Sequence, residues 1–250
     1  MRLFLTACRF LTRLPLPSAG DSTPRLAAGS MVAFPLVGAI LGVLLVLADA
    51  ALRLLLPALP ACALLLALWV ALTGGLHLDG FIDCCDALWA AKPPAERLEI
   101  LRDVHVGAYG VAGGALLLIV KFSALTALPA AWRWPLLLLA PLAARWAMVY
   151  ATARYPYARR GPGLGLWFKE ALRPAHLLGA TLVAGILAMA VNIWLGPAML
   201  LLAWLLTLAL AAWTHSRLGG LTGDVYGMIC EVIEPAILLA GVILAQFARV

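Results

Sequence analysis

The chain has 250 residues, 64% hydrophobic and 12% charged, with a mean hydropathy of +1.01. A soluble domain is about half apolar and about a quarter charged, so this composition excludes an ordinary soluble enzyme and predicts an all-α integral membrane protein, a polytopic bundle of six or seven helices in one domain over 1–250. No alternating pattern of about ten residues suggests a barrel, and the formal net charge of +6 is read as a topology signal, with no nucleic-acid partner implied.

The N-terminal stretch MRLFLTACRFLTRLPLPSAG has arginines within its apolar run and no clear cleavage site, so it is expected to lie on the membrane surface as an amphipathic helix rather than to act as a signal peptide. Hydropathy and helix breakers then place spans near 31–48, 61–78, 108–128, 135–152, 174–195, 197–214 and 229–248, the fifth and sixth joined by a tight turn at Gly196-Pro197. The five cysteines form no Cys-x-x-Cys pair and are read as packing residues. With the N-terminus inside, thirteen of the eighteen basic residues fall on one side: Arg2, Arg9, Arg13, Arg25, Lys92, Arg97, Arg102, Arg154, Arg159, Arg160, Lys169, Arg173 and Arg217. The other side holds Arg53, Arg133 and Arg249. The positive-inside rule therefore favours this orientation, and a multi-pass protein of the cytoplasmic (inner) membrane with its active site facing the cytoplasm is expected.

Six of the twelve acidic residues (Asp79, Asp83, Asp86, Glu96, Glu99 and Asp103) fall between positions 79 and 103. On a helix continuing from the second span, Asp79, Asp83 and Asp86 are spaced i, i+4, i+7 and share one face, where like charges repel unless a cation sits among them. Hard oxygen donors select Mg²⁺ or Mn²⁺. His77 and Cys84 are read as structural. Asp103 either approaches the same metal from another helix, pairs with Arg102 or caps a helix N-terminus. Lys121 and Arg145 lie mid-span, where they either bind phosphate or neutralise nearby acids. The loop ARYPYARRGPGLG suits an anion-binding lid and equally a topology signal. In SRLGGLTGDVYGMICEVIE, Gly219, Gly220, Gly223 and Gly227 leave backbone amides open to a phosphate, with Asp224 at the membrane boundary and Glu231 and Glu234 inside the last span.

The ordered elements FLTRLPLP, FPLVG, TGGLHLDGFIDCCDAL, RDVHVGAYG, ARYPYARRGPGLG and GGLTGDVYG resemble the cobalamin synthase family, the adenosylcobinamide-GDP ribazoletransferases, over most of the chain. The resemblance implies a Mg²⁺-requiring phosphotransferase that joins α-ribazole or its 5′-phosphate to adenosylcobinamide-GDP and expels GMP, giving adenosylcobalamin or its phosphate. It implies metal-associated carboxylates at Asp79, Asp83, Asp86 and Asp224 and a general base at Asp86 or Asp103. Lys121, Arg145, Arg154, Arg159 and Arg217, with Gly219 and Gly220, are the implied substrate-binding groups. Where the family often has a further basic residue before the glycine pair, this chain reads THSRLGG. The partners expected are the two substrates and the lipid bilayer, and the pattern is compatible with an oligomer. Two other readings compete. A CDP-alcohol phosphotransferase shares the Asp-Gly step at Asp79-Gly80 but requires an Ala-Arg that is absent; a secondary transporter would need inverted repeats and acidic residues near mid-span.

Overall fold

Why apolar residues this dense form separate helices is visible in their punctuation. Prolines open most of the long segments and glycines or extended residues close them. The structure, a computed structural model, describes residues 1–18, 20, 23–159 and 164–247; Arg160 and Arg249 of the basic tally, and the Gly161 to Gly163 part of the lid, lie outside the described residues. The helices are α1 (Arg2–Leu11), α2 (Pro24–Ser30), α3 (Phe34–Leu55), α4 (Ala58–Thr73), α5 (Leu76–Trp89), α6 (Pro94–Ile100), α7 (Ala108–Ala127), α8 (Ala130–Arg154), α9 (Leu164–Glu170), α10 (Pro174–Val191), α11 (Leu195–Leu218) and α12 (Gly223–Phe247). Among the described residues six segments are long and apolar enough to cross a membrane: Pro24–Leu55 and the helices α7, α8, α10, α11 and α12. The protein is a multi-pass helical membrane protein.

The second expected span is not straight. The chain breaks at Gly74 and Gly75, with φ of +65° and +69°, and α5 leaves α4 at 92°. Two consecutive left-handed residues stop the helix, and only glycine adopts that conformation without a Cβ clash. The acidic residues therefore belong to a separate helix, a correction to the continuous one expected. The expected turn at Gly196-Pro197 also moves: the chain turns at Asn192, whose Oδ1 accepts from the amides of Trp194 (3.0 Å) and Leu195 (2.8 Å). Pro197 sits in the first turn of α11, where its missing N–H costs nothing.

Around the buried helix α8 pack α3, α10, α11 and α12. Gly38 and Gly42 bring α3 against the backbone of α8 at Pro141–Leu142 and Leu137–Leu138, the close approach of small residues that lipid-embedded helices use. In α10, Ala180, Ala184 and Ala188 are buried while Leu178, Leu182 and Ile186 are exposed, the reverse of a soluble helix and the pattern lipid solvation requires. The far end carries a lock the sequence did not announce. Arg133 grips Asp49 with Nε (2.6 Å) and Nη2 (2.7 Å), and Arg53 adds Nε at 3.1 Å.

At the opposite end, α5 lies across the starts of α7 and α12. A Cβ at Gly80 would stand 2.9 Å from Asp224 Cα, and one at Gly227 would stand 3.0 Å from the His77 carbonyl oxygen. The amphipathic α1 docks there as well, burying Ala7, Cys8 and Leu11, and the Arg13 amide donates to the Leu72 carbonyl (2.8 Å) beside the α4–α5 break. Lys169 of α9 donates to the carbonyls of Thr152 (2.8 Å) and Tyr155 (2.7 Å), placing a cation on the C-terminus of α8. Burial pulls its ammonium below the usual lysine range.

Candidate active site

Between α1, α3, α5, α9, the end of α8 and the start of α12 lies a cavity of about 540 Å³ whose wall includes Asp79, Asp224, Arg159, Arg102, His77 and Tyr157, within the size range of small-ligand sites. Two devices bring its polar residues together. The glycine break swings α5 inward, and Gly80 lets it touch α12, so Asp79 reaches the side of the cavity on which Asp224 opens α12. Separately, the segment after α8 is tied to the loop before α12: Ala158 N donates to Leu221 O and Leu221 N to Pro156 O, both 2.8 Å. That tie aims Arg159 inward. Its Nη2 donates to Asp224 Oδ2 (2.6 Å) and Leu101 O (2.8 Å), while its buried Nε has no partner among the described residues.

Asp83 stands one turn beyond Asp79 on α5, part-buried. The charges of Asp79, Asp224 and Asp86 all act on it, with Arg159 as the opposing charge. Tyr157, outside the spans, has its phenol pushed up by burial, which the nearby Arg159 cation offsets in part. On the wall Asp79 and Asp224 meet Arg159 and Arg102, while Asp83 and Asp86 add negative charge from further along α5, so hard oxygen donors face a space that can admit a phosphate-bearing ligand.

The other expected site residues are placed differently. Asp86 accepts from the amides of Gly107 (Oδ2, 2.8 Å) and Gly110 (Oδ1, 2.8 Å). It caps the N-terminus of α7 from a neighbouring helix, satisfying two of the donors every helix start leaves open, so both oxygens are already engaged. Asp103 is not on the cavity wall. Its Oδ1 meets His105 Nδ1 at 2.7 Å and the His105 amide at 3.0 Å, and these hydrogen bonds hold its carboxyl below the usual range, the wrong direction for a base. The local partner the structure shows is His105.

Lys121 and Arg145 do not line the cavity. Lys121 Nζ pairs with Glu231 Oε2 (3.2 Å) and with Glu234, and Arg145 pairs with Glu234; all four are buried. Of the two mid-span alternatives, neutralisation is the one realised, with Lys121 also 4.2 Å above the Trp69 ring. The two intramembrane glutamates are held in ion pairs rather than left open as a relay. Arg154 is exposed at the end of α8 and Arg217 stacks on Trp213 at 4.4 Å; neither reaches the wall. Gly219 ends α11 with φ +74°, its amide committed to His215 O (2.9 Å). A Cβ at Gly220 would lie 2.8 Å from Ala158 N, so this glycine permits the backbone tie. Gly223, by contrast, borders the cavity.

Residues 3–242 match the family described as Cobalamin-5-phosphate synthase. The chain belongs to this family. It is similar to the adenosylcobinamide-GDP ribazoletransferase of Desulfitobacterium hafniense (strain Y51), 42% identical over 248 residues and covering 96% of each chain. It is also similar to those of Roseiflexus sp. (strain RS-1), 36% identical over 91% of this chain and 84% of the relative, and Pseudomonas aeruginosa (strain UCBPP-PA14), 42% identical over 96% and 97%. No solved structure matches the chain. Within the family frame, the cavity aromatics Phe10, Phe34, Tyr157 and Tyr226, not singled out from sequence, sit inside the quoted motifs FLTRLPLP, FPLVG, ARYPYARRGPGLG and GGLTGDVYG, whereas Met31, Met148, Thr152 and Phe168 lie outside them. The motif aromatics were the available signal, masked by a composition in which any apolar residue reads as core.

Proposed function

We propose that this chain is an adenosylcobinamide-GDP ribazoletransferase. A ribose hydroxyl of α-ribazole or its 5′-phosphate attacks the phosphorus that carries the corrinoid. The bond to GMP breaks, and adenosylcobalamin or its 5′-phosphate forms. Such chemistry is chiefly positioning and charge neutralisation. The observation that carries the reading is the convergence of Asp79, Asp224 and Arg159 on one cavity in a chain that matches this family along nearly its whole length.

Mg²⁺ fits the donor set in one specific way. Among the described residues no three His, Cys, Asp or Glu side chains form a closed metal site. Two carboxylates would therefore hold the ion only together with substrate oxygens, which is how Mg²⁺ is commonly bound. Asp79 and Asp224, the carboxylates on the wall, would hold it, with Asp83 one turn further along α5 adding negative charge, and when bound it would supply positive charge to the pyrophosphate. Arg159 and Arg102 give the chain's own neutralising charge. With Asp86 occupied as a cap and Asp103 bonded to His105, Asp79 on the wall and Asp83 one turn beyond it on α5 are the carboxylates left to take the hydroxyl proton. By the positive-inside rule the cavity end, which carries Arg13, Arg102 and Arg159, faces the cytoplasm across the inner membrane.

Purified protein in detergent, given adenosylcobinamide-GDP, α-ribazole and Mg²⁺, should release GMP only when both organic substrates are present. Chelation of divalent ions should stop release, and Mg²⁺ should restore it. No GMP from a folded, metal-supplied sample would remove the activity, and release unaffected by chelation would remove the metal.

A further inference from the structure

The cavity has two kinds of wall, supplied by different elements. The α5 helix, the start of α12 and the segment following α8 contribute Asp79, Asp224 and Arg159, whereas α1, α3 and α9 contribute Phe10, Phe34 and Phe168. These three rings form one cluster: Phe10 and Phe168 have centroids 4.8 Å apart, Phe34 and Phe168 5.8 Å, and Phe10 and Phe34 5.9 Å. Met31, one turn before Phe34, and Met148 of α8 extend the same apolar wall.

In the reaction proposed above, the leaving nucleotide and the attacking riboside each carry an aromatic heterocycle, guanine and the dimethylbenzimidazole of ribazole. They differ in what their edges demand. Guanine carries N–H donors and acceptors around its rim. Packed against three phenylalanines and two methionines it would leave them unpaired, at about 1–3 kcal/mol for each buried group. Dimethylbenzimidazole is flat and bicyclic, with an apolar methylated edge. Ring stacking and thioether contacts favour it without any such loss. A polar hand is also present: His77, 2% exposed, lines the cavity with an Nε2 that has no partner among the described residues. It lies two residues before Asp79 on α5, suited to a sugar hydroxyl between base and phosphate.

We propose that the Phe10, Phe34 and Phe168 wall is the specificity subsite for the apolar aromatic base of the accepting riboside, and that guanine is held elsewhere. The proposal rests on the ribazoletransferase reading. It also explains why α1, a surface helix, is packed into the site. Phe10 makes the membrane-surface segment part of substrate recognition.

The test measures GMP release by the full-length protein while each substrate is varied in turn. Phe10→Leu and Phe168→Leu should each raise KM for α-ribazole about tenfold and leave KM for adenosylcobinamide-GDP within about twofold. A control needs no variant: free dimethylbenzimidazole should inhibit the wild-type protein competitively against α-ribazole and not against adenosylcobinamide-GDP. Inhibition competitive with the GDP substrate, absence of inhibition, or folded variants in which both KM values rise together would overturn the subsite. Failure of the wild-type protein to release GMP would instead overturn the ribazoletransferase reading on which it rests.

Discussion

Lys121 and Arg145 in the helix core face Glu231 and Glu234, two positive charges against two negative, all buried and joined in ion pairs. At the cavity, Asp79 and Asp224 share the wall with Arg102 and with Arg159, which is paired to Asp224, while Asp83 and Asp86 add negative charge from further along α5. The first group is electrically complete and serves to fix α7, α8 and α12 together, because a lone charge there would be several kcal/mol unfavourable. The second is left negative, next to open space. Balanced charge in a membrane protein is a structural device; unbalanced charge beside a cavity is a place kept for a ligand.

The comparison predicts opposite phenotypes for changes of the same size. Asp83→Asn should lower kcat about a thousandfold with the melting temperature unchanged or slightly higher, since one repelling charge is gone. Near-normal turnover in that variant would end the assignment of the α5 carboxylates. Glu234→Gln should do the reverse, costing about 3 kcal/mol of stability by stranding Arg145, with turnover per folded molecule close to normal. The double change Glu234→Gln with Arg145→Gln should recover part of that loss. A thermal melt in detergent compares the three.

How much of this was legible beforehand depends on which physical signal each feature leaves. Six of the expected spans follow from length and hydropathy alone, since lipid imposes that pattern residue by residue. The acidic run was conspicuous because charge is rare in this chain. The bend at Gly74-Gly75 was not read, because a glycine pair in an apolar run carries no mark of whether the helix kinks or stops. The roles of Lys121 and Arg145 could not be separated either. Their partners lie 89 to 113 residues away in sequence, and spacing reports only local neighbours. Asp86 looked like a third ligand for the same reason: its partners are backbone amides of Gly107 and Gly110, which no side-chain pattern reveals.

Smaller effects sharpen the contrast. Arg159→Lys keeps the charge but not the planar fork that reaches Asp224 and the Leu101 carbonyl together. KM for adenosylcobinamide-GDP should rise about tenfold, read from initial rates of GMP release. Asp86→Asn retains an acceptor for the α7 amides but loses the carboxylate's charge at the helix start. A stability loss of about 1 kcal/mol is expected, with a far smaller drop in turnover than for Asp83→Asn. Equal catalytic losses in the two variants would place Asp86 among the reacting groups after all.

Asp103→Asn should have the least effect on catalysis, leaving GMP release within about twofold of the unmodified protein. The family resemblance puts Asp103 in the acidic pattern, and only its position in space argues otherwise. Its oxygen is taken by His105, the residue is exposed, and its hydrogen bonds favour the deprotonated form, whereas a base must take up a proton in the transition state. Arg102, its neighbour in sequence, does reach the wall, and Leu101 accepts from Arg159. Arg102→Gln should accordingly lower turnover more than Asp103→Asn, although the two charges stand side by side in the chain. Assaying both variants with saturating substrates asks whether proximity in sequence or position at the cavity decides function.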